Sequence, residues 1–178
     1  MNNDHLVISA IGADRVGIIS ELAEAIAEAG CYIADSRMSV LGNEFAIIML
    51  ADGRWNELAK LESALPNLER KLGLSIVTRR TSGEPAEAIH MLPYSVDVIC
   101  MDGHGIVQQL TEFVAGRDIN VREMVTSRTR AAYTATPLFS VQLTIDIPAT
   151  TAIARLREEF MEFCDRLNLD ASLEPLKA

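Results

Sequence analysis

The sequence predicts an α+β protein assembled from two copies of one β-α-β-β-α-β unit. Three observations carry that expectation. The segment Asp14-Arg15-Val16-Gly17-Ile18-Ile19 returns as Asp102-Gly103-His104-Gly105-Ile106-Val107. In both places an apolar, strand-like run precedes the acid and a helix-like run follows the glycine, so the match is one of architecture. Each helix-like run then gives way to a β-rich stretch, from Cys31 in the first copy and from Ile119 in the second.

In the first copy, Leu6 to Ile11 is apolar on nearly both alternating faces, as a central strand requires. After the acid-containing turn, Ile19, Leu22, Ala23 and Ile26 recur at helical spacing, with Ser20, Glu21, Glu24 and Glu28 on the opposite side. Gly30 closes this helix. Cys31 to Leu41 and Glu44 to Ala51 flank Gly42-Asn43, a dipeptide suited to a tight hairpin turn between antiparallel strands. Trp55, Leu58, Leu61, Leu65, Leu68 and Leu72 continue at three- and four-residue steps as a second helix. Pro66 is expected to break or kink it, because an interior proline loses a hydrogen bond and clashes with the preceding turn. Leu74 to Thr78 reads as a last short strand.

The second copy repeats the order through Ser95 to Met101, Ile106 to Ala115, Ile119 to Thr129, Leu138 to Ile147, Thr151 to Leu167 and Leu169 to Leu173. Its third strand is the most legible. Phe139, Val141, Leu143, Ile145 and Ile147 alternate with Ser140, Gln142, Thr144 and Asp146, as expected for a sheet covered by helices on one face. Right-handed crossovers then give two ferredoxin-like antiparallel sheets, in domains spanning 1–80 and 94–178 joined by a connection over 81–93. The hairpin between Thr129 and Leu138 is longer than its counterpart at Gly42-Asn43, and Tyr133 to Pro137 in it either covers a groove, contacts a partner or forms a plain surface loop.

The chain has 178 residues, 49% of them hydrophobic and 23% charged, which is an ordinary globular composition. The two repeats consume nearly all of it, leaving no room for a separate catalytic domain. A net charge of −9 and a pI near 4.8 argue against a DNA-binding surface, which needs clustered Lys and Arg. Arg79-Arg80 and Arg128-Thr129-Arg130 are too short to reverse that and read as solvated strand ends. No run reaches about 18 apolar residues, and Met1-Asn2-Asn3-Asp4-His5 lacks the features of a signal peptide, so a cytoplasmic protein without membrane contact is expected. Cys31, Cys100 and Cys164 have no metal-ligand or disulfide spacing and read as small buried hydrophobes. No metal, cofactor or catalytic residue is expected, since no nucleophile elbow, metal spacing or P-loop is present.

The candidate chemistry lies in the repeated turn. An Asp followed three residues later by Gly stands at each strand-to-helix junction, where backbone N–H groups lack helical partners and a helix dipole favours an anion. An α-amino acid offers both signs. Its carboxylate would take N–H groups around Val16 to Ile18 or His104 to Ile106, while Asp14 or Asp102 accepts from its ammonium. Turn formation or helix capping is the competing role for both acids, worth about 1 kcal/mol each. The candidate ligand residues are therefore Asp14, Arg15, Val16, Gly17 and Ile18 in the first turn and Asp102, Gly103, His104, Gly105 and Ile106 in the second. His104 can change charge near neutral pH whereas Arg15 cannot, so the two turns are not equivalent. Asn120, where the first copy has Tyr32, could give both a donor and an acceptor to a zwitterion in a neighbouring groove.

Two such units, each with an Asp-x-x-Gly turn before its first helix, and with Asp118-Ile119-Asn120-Val121 leading into a second strand, resemble tandem ACT domains. The run from Leu6 through Gly17, with Arg37-Met38-Ser39 and Phe45-Ala46-Ile47-Ile48-Met49-Leu50, resembles the glycine cleavage system transcriptional repressor family. The resemblance covers nearly the whole chain. It implies an amino-acid sensor, with glycine as the favoured ligand, that acts as an accessory repressor through the transcriptional activator protein of the glycine cleavage operon and not by direct contact with nucleic acid. The chain departs from the common pattern at Val16, where many members have Pro, and at Gly103-His104, which replaces Arg-Pro. A ligand-independent ACT-type protein-interaction module is the alternative. Exposed sheet edges invite pairing, within the chain or with a second copy as a homodimer.

Overall fold

The computed structural model describes residues 4–82, 90–101, 103–131 and 134–176. The chain divides into two units, Met1–Pro85 and Ala86–Ala178. The first contains β1 (Asp4–Ala13), α1 (Ile18–Ala29), β2 (Tyr32–Leu41), β3 (Glu44–Gly53), α2 (Trp55–Leu72) and β4 (Ser75–Thr81). Its sheet has the order β2-β3-β1-β4 and every pairing is antiparallel. The second contains β5 (Met91–Cys100), α3 (Ile106–Ala115), β6 (Asn120–Arg130), β7 (Pro137–Pro148), α4 (Ile153–Arg166) and β8 (Asp170–Pro175). Its order, β6-β7-β5-β8, is the same trace repeated.

In the first unit Leu6, Ile8 and Ala10 of β1 lie in register with Ala51, Met49 and Ile47 of β3, and all six are buried. Ile18, Leu22, Ile26 and Ala29 of α1, with Leu58, Leu61, Leu65 and Leu72 of α2, close that face. The buried stripe of α1 is thus displaced from the expected one. Ile18 replaces Ile19, which is 43% exposed, because the helix begins at Ile18 straight after the Gly17 turn. The expected break at Pro66 does not occur either, since α2 runs unbroken from Trp55 to Leu72. Pro66 is exposed, and the buried leucines Leu65 and Leu72 hold the chain to the sheet on either side of it.

The second core is built alike from Val96 and Val98 of β5, Val141, Leu143, Ile145 and Ile147 of β7, and the helix residues Leu110, Leu156 and Phe160. An aromatic group replaces the leucines of the first unit. Phe113 meets Phe160 edge-on with centroids 5.6 Å apart and lies 4.8 Å from Phe163. Strand pairing also extends further than the periodicity implied. Thr81 is paired with His5, and Met91 to Pro93 are paired with Asp146 to Pro148, so residues assigned by sequence to the connection are strand ends. Cys31, Cys100 and Cys164 are buried thiols. Arg80 is not a solvated strand end, because its Nη2 donates to Glu62 Oε2 at 2.7 Å and its guanidinium lies 5.5 Å from the Trp55 ring. No helix among the described residues is long and apolar enough to cross a membrane.

Candidate functional site

The turn from β1 to α1 is shaped by Gly17, whose φ of 96° lies in the left-handed region that a side chain disfavours. This glycine occupies the N-cap position, so no side chain caps the first N–H groups of α1. Asp14 is exposed, and its carboxylate makes no hydrogen bond or ion pair with the described residues. Its backbone N–H donates to Asn43 O at 2.9 Å, tying the turn to the β2-β3 hairpin. Capping by the Asp14 side chain is thereby set aside for this turn. A cavity of about 250 Å³ lies between the acid and the helix start, lined by Asp14, Arg15, Gly17, Ile18, Ile19, Ser20, Met38 and Phe45.

Arg15 forms one side of the cavity. Its guanidinium donates to Val16 O at 3.3 Å and to Glu21 Oε1 at 3.2 Å. Lys71 reaches the other Glu21 oxygen at 2.8 Å, and the hydrogen bonds from Lys71 and Arg15 hold the Glu21 carboxyl below its ordinary range. Val16 is 99% exposed, an apolar side chain projecting from the turn without packing partners.

The second turn has the same N-cap, with Gly105 at φ 72° and no side-chain cap on α3. Asp102 lies outside the described residues, as does Tyr133 in the loop singled out between β6 and β7. His104 is exposed, and Ile106 is buried as the first residue of α3. Around Gly103 the space is taken: a Cβ placed there would stand 2.4 Å from two carbons of the Phe139 ring. Phe139 is the register equivalent of Phe45, which in the first unit walls the open cavity.

Asn120 is not brought to this turn. It pairs with Asp146, beside Pro93 at the start of β5, whereas the turn follows Cys100, which pairs with Phe139. The steps along β7 from Phe139 to Asp146 place the two ends roughly 23 Å apart. Within its own unit Asn120 therefore cannot share a small ligand with Gly103 to Ile106.

Residues not singled out in the sequence occupy that far end. Asp52 and Asp146 are buried at equivalent register positions, the former accepting from Tyr32 OH at 2.7 Å and the latter from Arg122 Nε at 3.0 Å. An acid within a strand of otherwise buried side chains was the available signal. A wider groove of about 540 Å³ is lined by Phe113, Phe163, Arg117 and Glu159 among others. Arg117 stacks 3.7 Å from the Phe113 centroid and donates to Glu159 Oε2 at 2.9 Å, so its charge is already compensated within the unit. Among the described residues no group of His, Cys, Asp and Glu is disposed to hold a metal ion.

A split β-α-β-β-α-β sheet with a glycine turn opening its first helix defines the class: the ACT domain, whose family model matches residues 4–79. The chain belongs to the glycine cleavage system transcriptional repressor family. It is 33% identical over 171 residues to the glycine cleavage system transcriptional repressor of Escherichia coli K12, covering 95% of this chain and 88% of that protein. A crystal structure provisionally named as such a repressor matches with a TM-score of 0.73 and 30% identity over the full length of both chains. A protein of Galdieria sulphuraria named as unknown matches with a TM-score of 0.78 and 26% identity, covering 98% of this chain and 99% of that one.

Proposed function

We propose that this protein is an amino-acid-responsive accessory repressor of glycine cleavage transcription. It works in the cytoplasm through the activator protein of that operon and not by contact with DNA. The observation that carries the ligand response is the first turn, where an unpaired carboxylate and uncapped helical N–H groups face each other across a small cavity. A zwitterion satisfies both. Its carboxylate takes the N–H groups at the start of α1 with support from Arg15, and Asp14 accepts from its ammonium. At about 250 Å³ the cavity falls below the usual range for drug-sized ligands, roughly 300–1,000 Å³, and Met38 and Phe45 leave little space for a side chain, which favours glycine. Val16 and Gly17 let the ligand approach the backbone. In the second turn the Phe139 ring occupies space beside Gly103, so Gly103, His104, Gly105 and Ile106 form at most a weaker site. The reading calls for binding and no catalysis, and for neither metal nor cofactor.

The net charge of −9 opposes phosphate contact and is consistent with a protein partner. Ligand occupancy regulates that partner only through a difference in affinity between conformations. Calorimetric titration with glycine tests the first step. Removing a charge-assisted hydrogen bond in Asp14→Ala costs about 1.5–3 kcal/mol, so affinity falls roughly 10- to 100-fold. Silence across a panel of amino acids, or unchanged affinity in the variant, sinks the ligand reading and leaves a ligand-independent interaction module. Capture of the purified activator with and without glycine then separates regulation from mere binding.

A further inference from the structure

The face of the first sheet that points away from its helices carries exposed apolar side chains. Strand register lays it out as a grid in the order β4, β1, β3, β2. One row reads Arg79, Val7, Leu50 and Asp35, the next Val77, Ser9, Ile48 and Arg37, and the next Ser75, Ile11, Ala46 and Ser39. Three of its apolar members stand in solvent, Ile11 being 53% exposed, Ile48 51% and Val77 66%, while Val7, Ala46 and Leu50 are half-buried. The corresponding face of the second sheet is different. There the rows read Glu174, Ser95, Thr144 and Glu123, then Ser172, Asp97, Gln142 and Val125, then Asp170, Ile99, Ser140 and Ser127. Asp97 accepts from Ser95 Oγ at 3.1 Å and from Gln142 Nε2 at 2.9 Å, so that face satisfies its own polar groups. The contrast within one chain shows that an outward apolar face is not a requirement of this fold.

We propose that the first sheet's outer face binds the same face of a second copy of this chain, about a two-fold axis parallel to the strands between β1 and β3. The charges select that occupant. Rotation about this axis exchanges left and right along each row, which sets Arg79 of one copy over Asp35 of the other and Val7 over Leu50. His5 and Asp52, 3.7 Å apart across the next row, exchange in the same way. Arg79 has no partner among the described residues of its own chain, and Asp35 accepts only from its exposed neighbours, Arg37 Nη1 at 2.5 Å and the Ser36 backbone N–H at 2.8 Å. An isologous interface demands this self-complementarity, and aligned packing of two twisted sheets supplies the geometry. Four strands by some seven rungs span roughly 19 Å by 25 Å, or about 1,000 Å² over the two faces. That lies at the lower limit for a specific interface and points to a dissociation constant in the micromolar range.

Sedimentation velocity of the full chain across a wide concentration series tests it, with circular dichroism to confirm folding. A reversible dimer is expected. Ile48→Glu places an unpaired charge at its centre and weakens it at least about 100-fold, whereas Val125→Glu, on the second sheet, leaves it unchanged. Arg79→Asp and Asp35→Arg each weaken association about tenfold, and the double exchange restores it. The exchange decides the matter even if Ile48→Glu fails to fold. A monomer at every concentration overturns the proposal and leaves the face to another protein. A dimer indifferent to Ile48→Glu, or one lost with Val125→Glu, overturns it equally.

Discussion

The two units bury nearly the same pattern and show solvent different surfaces. Leu6, Ile8 and Ala10 on one central strand match Tyr94, Val96 and Val98 on the other, and Phe45, Ile47 and Met49 match Phe139, Val141 and Leu143. Outward, Val7, Ile48 and Val77 stand where the second unit has Ser95, Gln142 and Ser172. The turns diverge too, with an open cavity beside Asp14 and Arg15 and an aromatic ring against Gly103. Buried positions are constrained by close packing from several elements at once, whereas an outer face or a turn answers only to what it binds. The differences between the copies therefore mark where function is to be sought.

The strongest way to break the comparison is to damage one core alone. Phe160→Ala removes a 2% exposed ring from the Phe113 and Phe163 group and costs about 3–5 kcal/mol. Hydrogen exchange checks it: protection falls in β5 to β8, and an equal loss in β1 to β4 would mean that the two cores do not melt separately.

A smaller effect separates the turns. Gly103→Ala drives a methyl group into Phe139 and destabilises by about 1–3 kcal/mol, while Arg15→Ala, the equivalent position in the first copy, changes stability by less than about 0.5 kcal/mol. Denaturant melts of both variants check the difference, and adding Phe139→Leu to Gly103→Ala recovers part of the loss.

The smallest effect is shared by both units. Glu21 is held below its ordinary range by hydrogen bonds from Lys71 and Arg15, and Glu159 by those from Arg155 and Arg117. A depressed carboxyl pKa favours the folded state above the unfolded value, and that contribution is lost as pH falls through the folded value. Acid titration of stability should thus be shallower in Glu21→Gln and in Glu159→Gln than in the parent. An unchanged profile in either would assign the acid sensitivity to other carboxylates. Both groups are within reach of solvent and only partly covered, so salt weakens the effect.

Much of the fold was legible because two periodicities are written plainly. The alternation from Phe139 to Ile147 and the leucine spacing from Leu58 to Leu72 each identify a buried face without knowledge of its partner. Pro66 does not break α2, since the local rule weighs one lost hydrogen bond and not the leucines that anchor the helix on either side. The stripe on α1 was misjudged by one residue because Ile18 and Ile19 are equally apolar, and only the exit from Gly17 decides which of them meets the sheet.

The candidate site was legible in part. Asp14 and Gly17 are visible as a repeated motif, but the cavity beside them depends on Met38 and Phe45, brought there by the β2-β3 hairpin. Asn120 stands at a strand start, a position that says nothing about which end of the sheet it reaches, and the register places it at the end away from the turn of its own unit. By itself the sequence determined the duplication, the order of elements and the net charge, because these are local or additive properties. Tertiary structure alone decided which turn keeps a cavity, which sheet face stays apolar and where Arg79 stands relative to Asp35. Those depend on strand register, and register joins residues that are far apart along the chain.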